Sequence, residues 1–151
     1  MNKKILTFVY GGREFLLLRN NSKDPSHGGD YWFTVTGSVE DNETHEQAVI
    51  REVLEETGLV VKETMRLNCG SIYNWQNQDH EEKNFIAFVE QNKIKLNEEY
   101  VDFEWLKLSE FIDRLNWGLD KEELRNVLQK AIKRELFFKK EKIKDFRLKA
   151  T

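Results

Sequence analysis

Residues Gly37–Leu59 read GSVEDNETHEQAVIREVLEETGL, and the rest of the chain is arranged to hold them. Thr44 with Gln47 three residues on forms a capping box, and Gly58 supplies a left-handed stop after Thr57, so the spacing predicts a helix between them. Ala48, Val49, Val53 and Leu54 give that helix a side to bury. Glu52, Glu55 and Glu56 stand at i, i+3 and i+4, which stacks three carboxylates on one helix face within ~5–6 Å of each other. Like charges at this spacing cost ~0.2–0.5 kcal/mol per pair, and negative charge in the last turn opposes the helix dipole by a further ~0.3–1 kcal/mol. A solvated acidic face is the ordinary explanation of a charge run. Placement at the unfavourable end argues instead for a compensating cation. Mg²⁺ and Mn²⁺ are the natural candidates, because they prefer carboxylate oxygen and water and the segment offers no thiol.

Gly37 follows the apolar run Trp32–Val35, where a strand is expected to become a loop and a bare backbone N–H can approach an anion. Strand, glycine loop and acidic helix thus read as one unit. Its fixed positions are Gly37, five residues, Glu43, seven residues, then Arg51-Glu52-Val53-Leu54-Glu55-Glu56-Thr57-Gly58-Leu59. This pattern resembles the Nudix box with every fixed position filled, a far more specific signal than a lone short motif. Outside the box the resemblance is looser and runs to about Leu108.

The resemblance implies an α/β (α+β) fold, an α/β/α sandwich with a mixed sheet between the box helix on one face and the C-terminal helices on the other. It also implies hydrolysis of a diphosphate linkage, with water attacking one phosphorus and a divalent metal drawing off the departing charge. On that reading Glu52 and Glu56 are metal ligands and Glu55 is an additional or water-mediated one. Glu99 reaches across from its own segment as a fourth carboxylate or as the base that takes water's proton. Its segment resembles the family pattern of an acid six residues before a Trp-Leu pair, here Trp105-Leu106, although Tyr100 stands where a histidine commonly follows the acid. Arg51 is expected to point to a different side from Glu52 and to pair with Glu43, both supporting the site from behind. Substrate contacts fall to Gly37, to Thr36, to Arg19 near a position where relatives touch phosphate, and to Trp75, which could cover a base or pterin ring.

The local string Val35-Thr36-Gly37-Ser38-Val39-Glu40, with serine where many relatives carry a second glycine, looks like that of dihydroneopterin triphosphate and dATP pyrophosphohydrolases. Diadenosine tetraphosphate hydrolases are the nearest rival. A non-catalytic nucleotide sensor is the alternative of a different class, and such relatives usually lose a box carboxylate. The expected partner is therefore a small nucleotide or pterin triphosphate, with Mg²⁺ as cofactor and Mn²⁺ able to substitute. Neither a nucleic acid nor a membrane is expected, and the chain is expected as a monomer or homodimer.

At 151 residues the chain is long enough for one domain with a proper core. We expect residues 1–134 to form it and 135–151 to be a basic extension, helical and part of the same domain. Ile132–Lys149 carries eight Lys/Arg against three Asp/Glu, so the net charge of −3 splits into +5 there and −8 elsewhere. An acidic body repels a nucleotide unless metal screens it. The apolar runs are too short to span a bilayer and no secretory or lipidation signal is evident. One cysteine, Cys69, excludes an intrachain disulfide and fits a reducing cytoplasmic setting.

Elsewhere, Ile5–Tyr10 and Phe15–Leu18 read as strands joined through Gly11-Gly12, and the polar segment Ser22–Asp30 reads as a loop. Trp32 is either a core aromatic or a base-stacking surface. Val60–Tyr73 and Asn84–Gln91 read as strands, with Asn74–Lys83 a long polar connection carrying a solvated His80. Ser109–Leu115 reads as a short helix begun by a serine cap. A longer helix follows Asp120, with Leu124, Val127, Leu128 and Ala131 as its buried stripe.

Overall fold

A computed structural model describes residues 2–21, 31–75 and 77–135, the side chains of 71–75 excepted. Ser22–Asp30, expected as a loop, and the basic extension from Leu136 onward lie outside the described residues.

β1 (Asn2–Gly11) sits inside a mixed sheet because its alternate side chains are apolar on both faces. Leu6 and Phe8 enter one core, Ile5 and Val9 the other. It turns through Gly12 and Arg13, both at positive φ, into β2 (Glu14–Asn20). Along its other edge it runs parallel to β6 (Gln78–Val89), with Leu6 opposite Asn84 and Phe8 opposite Ile86. β5 (Val61–Trp75) is antiparallel to β6, and β7 (Tyr100–Leu106) is antiparallel to β2.

Three sequence expectations are corrected here. The run Trp32–Val35 is not one strand: β3 (Trp32–Phe33) pairs with β2, whereas β4 (Val35–Ser38) pairs with β1. Thr34, buried between them, donates its hydroxyl to the Thr7 carbonyl at 2.5 Å, which covers the change of partner. Nor is Asn74–Lys83 an irregular connection. β5 and β6 continue as a hairpin until Trp75 faces Gln78, turning through Asn77 at φ 62°. Its end carries exposed polar side chains such as Gln78 and Asp79, so apolar alternation fades while the backbone ladder persists. His80 on this hairpin is buried rather than solvated.

Helices cover both faces, as the sandwich reading requires. α1 (His45–Thr57) packs Ala48, Val49 and Val53 against Ile5, Val9 and Phe85. α2 (Leu108–Arg114) and α3 (Lys121–Ile132) cover the opposite face, where Phe111 stacks on Phe15 at 5.1 Å and meets the edge of Phe8 at 6.1 Å. Asp120 caps α3 by accepting from the Glu122 and Glu123 amides. α2 instead starts at Leu108 after Lys107, with no side-chain cap, so Ser109 is not its N-cap. Among the described residues, no helix is long and apolar enough to cross a membrane.

Candidate active site

Both ends of α1 are fixed by local chemistry. Thr44 Oγ1 accepts from the Gln47 amide at 3.1 Å, and Gln47 Oε1 accepts from the Thr44 amide at 2.8 Å. Gly58 stops the helix at φ 77°, and its amide bonds the Leu54 carbonyl. Leu54 departs from expectation, being half exposed rather than part of the buried stripe. Beyond Gly58, the Lys95 amide donates to the Thr57 carbonyl at 2.9 Å and the Asn97 amide to the Glu56 carbonyl at 3.4 Å. The segment before β7 is thereby docked on the helix end that carries the carboxylates.

The three helix glutamates do not share one environment. Glu56 is 1% exposed, and Tyr100 donates its hydroxyl to Glu56 Oε1. Glu56 Oε2 is buried without a hydrogen-bond partner. Burial first, then the neighbouring Glu52 carboxyl and the nearby Glu99, push the Glu56 carboxyl up to about 11, with the Tyr100 hydrogen bond acting the other way. Glu55, by contrast, turns outward with its side chain 56% exposed and meets Arg51 Nη1 at 3.3 Å. Spacing places all three on one side of the helix; the structure brings Glu52 and Glu56 together and leaves Glu55 at the rim. Among the described residues, no group of three His, Cys, Asp or Glu side chains already surrounds one point.

Gly37 lies within β4 opposite Ile5, and is not a loop residue as expected. Its lack of a side chain serves a neighbour: a Cβ there would lie 2.3 Å from Glu52 Cδ and 2.7 Å from its Oε1. The Glu52 carboxylate passes over the strand through the space a side chain would fill. Thr36, beside it, faces Leu6 in the register.

Arg51 joins this assembly to the preceding turn. Its Nε and Nη2 form a fork on Glu43 at 2.8 and 2.9 Å, and Nη2 also donates to the Ser38 carbonyl at 2.8 Å. Nη1 donates to Glu52 Oε1 at 2.6 Å, so Arg51 touches Glu52 as well as pairing with Glu43. The guanidinium beside Glu43 holds its carboxyl below the ordinary range.

Glu99 is held at both ends of a small ring: its amide donates to Asn97 Oδ1, and Asn97 Nδ2 donates to Glu99 Oε2, each at 3.0 Å. Asn97 and Tyr100 are the residues that sequence reasoning missed. Tyr100 entered it only as a departure from a pattern, and an Asn two residues before an acid carries no specific signal. Arg19 lies on β2 opposite Asp102 and Trp32, its guanidinium carbon 6.0 Å from the Trp32 ring centroid. Arg114 covers that ring more closely, at 4.7 Å. Trp75 closes β5, and its side chain lies outside what is described.

These donors suit a hard divalent cation. Glu52 and Glu56 stand one helical turn apart, Gly37 makes room for the first, the second has a buried oxygen that lacks a hydrogen-bond partner, and a further carboxylate stands nearby on Glu99.

The model of the NUDIX domain matches residues 3–136. The chain belongs to the Nudix family. It is 32% identical over 108 residues to the NAD-capped RNA hydrolase NudC of Mannheimia succiniciproducens, covering 70% of this chain and 39% of that protein. The chain thus spans about two fifths of the length of that relative. It is 25% identical over 142 residues to the dihydroneopterin triphosphate diphosphatase of Haemophilus influenzae, covering 84% of this chain and 87% of the relative. Among solved structures, a Caenorhabditis elegans Ap4A hydrolase superposes with a TM-score of 0.64 at 23% identity, over 87% of this Nudix chain and 95% of its own. That likeness concerns the fold.

Proposed function

We propose that this Nudix protein is a Mg²⁺-dependent hydrolase that cleaves a diphosphate linkage in a nucleoside triphosphate or dihydroneopterin triphosphate, releasing pyrophosphate and a monophosphate. The observation that carries the reading is Glu56 Oε2, buried and lacking a hydrogen-bond partner one helical turn from Glu52, whose carboxylate fills the space beside Gly37. When bound, the cation supplies charge neutralisation at the phosphates and acidifies water. Glu52 and Glu56 would hold it. Glu55 is released from Arg51 at little cost because that pair is exposed and its 3.3 Å contact is the longest of the four hydrogen bonds Arg51 makes to carboxylates. Glu99, fixed by Asn97, is the fourth carboxylate or the base that accepts water's proton. Arg51 and Glu43 keep the helix against β4 and so set the position of Glu52. Gly37 and Thr36 border the substrate phosphates, with Arg19 and Trp75 as further contacts.

A triphosphate substrate is favoured by the diphosphatase likeness in sequence, 25% identical over 84% of this chain and 87% of the relative; the NudC likeness, at 32%, spans only 39% of that protein, and the Ap4A hydrolase likeness, at 23%, is one of fold. We place the protein in the cytoplasm on its single cysteine and its substrate class.

The test is a substrate panel with Mg²⁺: the four dNTPs, dihydroneopterin triphosphate, diadenosine tetraphosphate and an NAD-capped RNA, with products identified chromatographically. Pyrophosphate plus a monophosphate from a triphosphate is expected. ATP plus AMP from the dinucleotide as the preferred reaction would replace the substrate assignment. Binding without turnover of any member would make the protein a sensor. Glu56→Gln, which keeps the shape and removes the charge, should abolish turnover while the protein remains folded; turnover within a few-fold of the parent would reject Glu56 as a ligand.

A further inference from the structure

Three features of the structure meet at Tyr100. It opens β7 opposite Asn20, at the point where the β2–β7 register shifts. The segment just before it is bonded to the C-terminal carbonyls of α1, through Lys95 to Thr57 and Asn97 to Glu56. Its ring packs against the core beneath α1, and its hydroxyl donates to Glu56 Oε1, a contact bridging 44 positions of sequence. Only one oxygen of Glu56 is engaged this way; Oε2 is buried without a partner.

We propose that Tyr100 is the positioning residue for Glu56, fixing the carboxyl rotamer by donating to Oε1 so that Oε2 is the oxygen presented to a divalent cation. This rests on the reading of Glu52 and Glu56 as cation ligands. A buried carboxylate with two free oxygens can rotate and use either, or turn toward Glu52. A hydroxyl held by a strand on one oxygen removes that freedom, which is what an outer partner of a metal ligand does. Tyr100 is suited to the task because its backbone is held by the β2–β7 ladder and by the docked segment before it, while its ring packs on the core. Its hydroxyl reaches Glu56 without any movement of α1.

The experiment titrates Mn²⁺ into cation-free parent, Tyr100→Phe, Glu56→Gln and the double variant by calorimetry. Tyr100→Phe keeps the packed ring and removes only the donor. Its Mn²⁺ dissociation constant should rise about 10- to 100-fold, the usual effect of losing such a partner. The Mn²⁺ concentration for half-maximal turnover should rise by the same factor, with turnover recovered at saturation. In the Glu56→Gln background, Tyr100→Phe should add nothing, since the group it positions is already altered. Should Tyr100→Phe fold poorly, Tyr100→Met fills the space without a hydroxyl and carries the same expectation. A dissociation constant within twofold of the parent in the folded variant overturns the proposal, as does a full additive loss in the double variant. A parent that takes up no Mn²⁺ overturns this inference together with the proposed function, whereas a binding parent matched by Tyr100→Phe overturns this inference alone.

Discussion

Gly37 contributes a hydrogen atom where any other residue would place carbon, and that absence lets the Glu52 carboxylate lie across β4. Its φ is not in the left-handed region, so alanine suits the backbone. The three atoms nearest the added methyl all belong to the Glu52 side chain, Cδ at 2.3 Å, Cγ at 2.6 Å and Oε1 at 2.7 Å, and that side chain swings aside more easily than the strand moves. Gly37→Ala should therefore melt within a few degrees of the parent while binding Mg²⁺ or Mn²⁺ at least tenfold more weakly. Paired calorimetry and thermal unfolding check this; parent-like cation affinity would show that Glu52 does not need the space. The glutamates themselves were legible in sequence, because one helical turn of spacing puts Glu52 beside Glu56 whatever the tertiary fold. Their partners were not. The Tyr100 hydroxyl reaches Glu56 only once β7 has paired with β2, and Asn97 clamps Glu99 only in the turn that the docked segment adopts. Contacts made by folding leave no periodic trace in the chain.

Among the elements, α1 was readable at both ends because Thr44, Gln47 and Gly58 act over three or four residues, within reach of local rules. Ser109 obeys the same composition rule and fails it, since α2 begins one residue earlier with Phe111 and Ile112 drawn into the core. The β5–β6 hairpin failed for another reason. Backbone pairing with one neighbour continues past the region where side chains alternate between core and water, so a polar composition reads as a loop. The switch between β3 and β4 at Thr34 depends on which neighbour each half meets. What fastens α1 to β4 is Arg51, whose planar fork serves Glu43 twice, the Ser38 carbonyl and Glu52 together. Lysine has the charge without the fork. Arg51→Lys should lower cation-free stability by about 1–3 kcal/mol, the range for losing charged hydrogen bonds at a partly buried site. Urea unfolding measures it, and a loss below about 0.5 kcal/mol would mean that the helix is held by its apolar face alone.

For the whole molecule, folding gathers carboxyls that the unfolded chain keeps apart, and global stability must register that. Glu56 binds its proton more tightly folded than unfolded, its carboxyl rising from 4.5 to about 11 through burial first and then through Glu52. Below pH 4.5 both states hold this proton and it favours neither. Above that the unfolded chain releases it while the folded chain retains it or suffers repulsion, so this group's contribution falls steadily as pH rises toward the folded value. One proton sets a slope of at most about 1.4 kcal/mol per pH unit. A divalent cation held by Glu52 and Glu56, as proposed, would take the proton's place and should remove most of the slope, with a proton released on binding. The measurement is the urea stability of parent and Glu56→Gln between pH 6 and 9, in chelator and in excess Mg²⁺. Parent in chelator should weaken with pH more steeply than Glu56→Gln, and Mg²⁺ should bring the parent's slope down to that of the variant. Because every other titrating group is common to both proteins, equal slopes in chelator would mean that Glu56 ionises freely in the folded state. Its burial beside Glu52 would then offer no reason for a cation to bind.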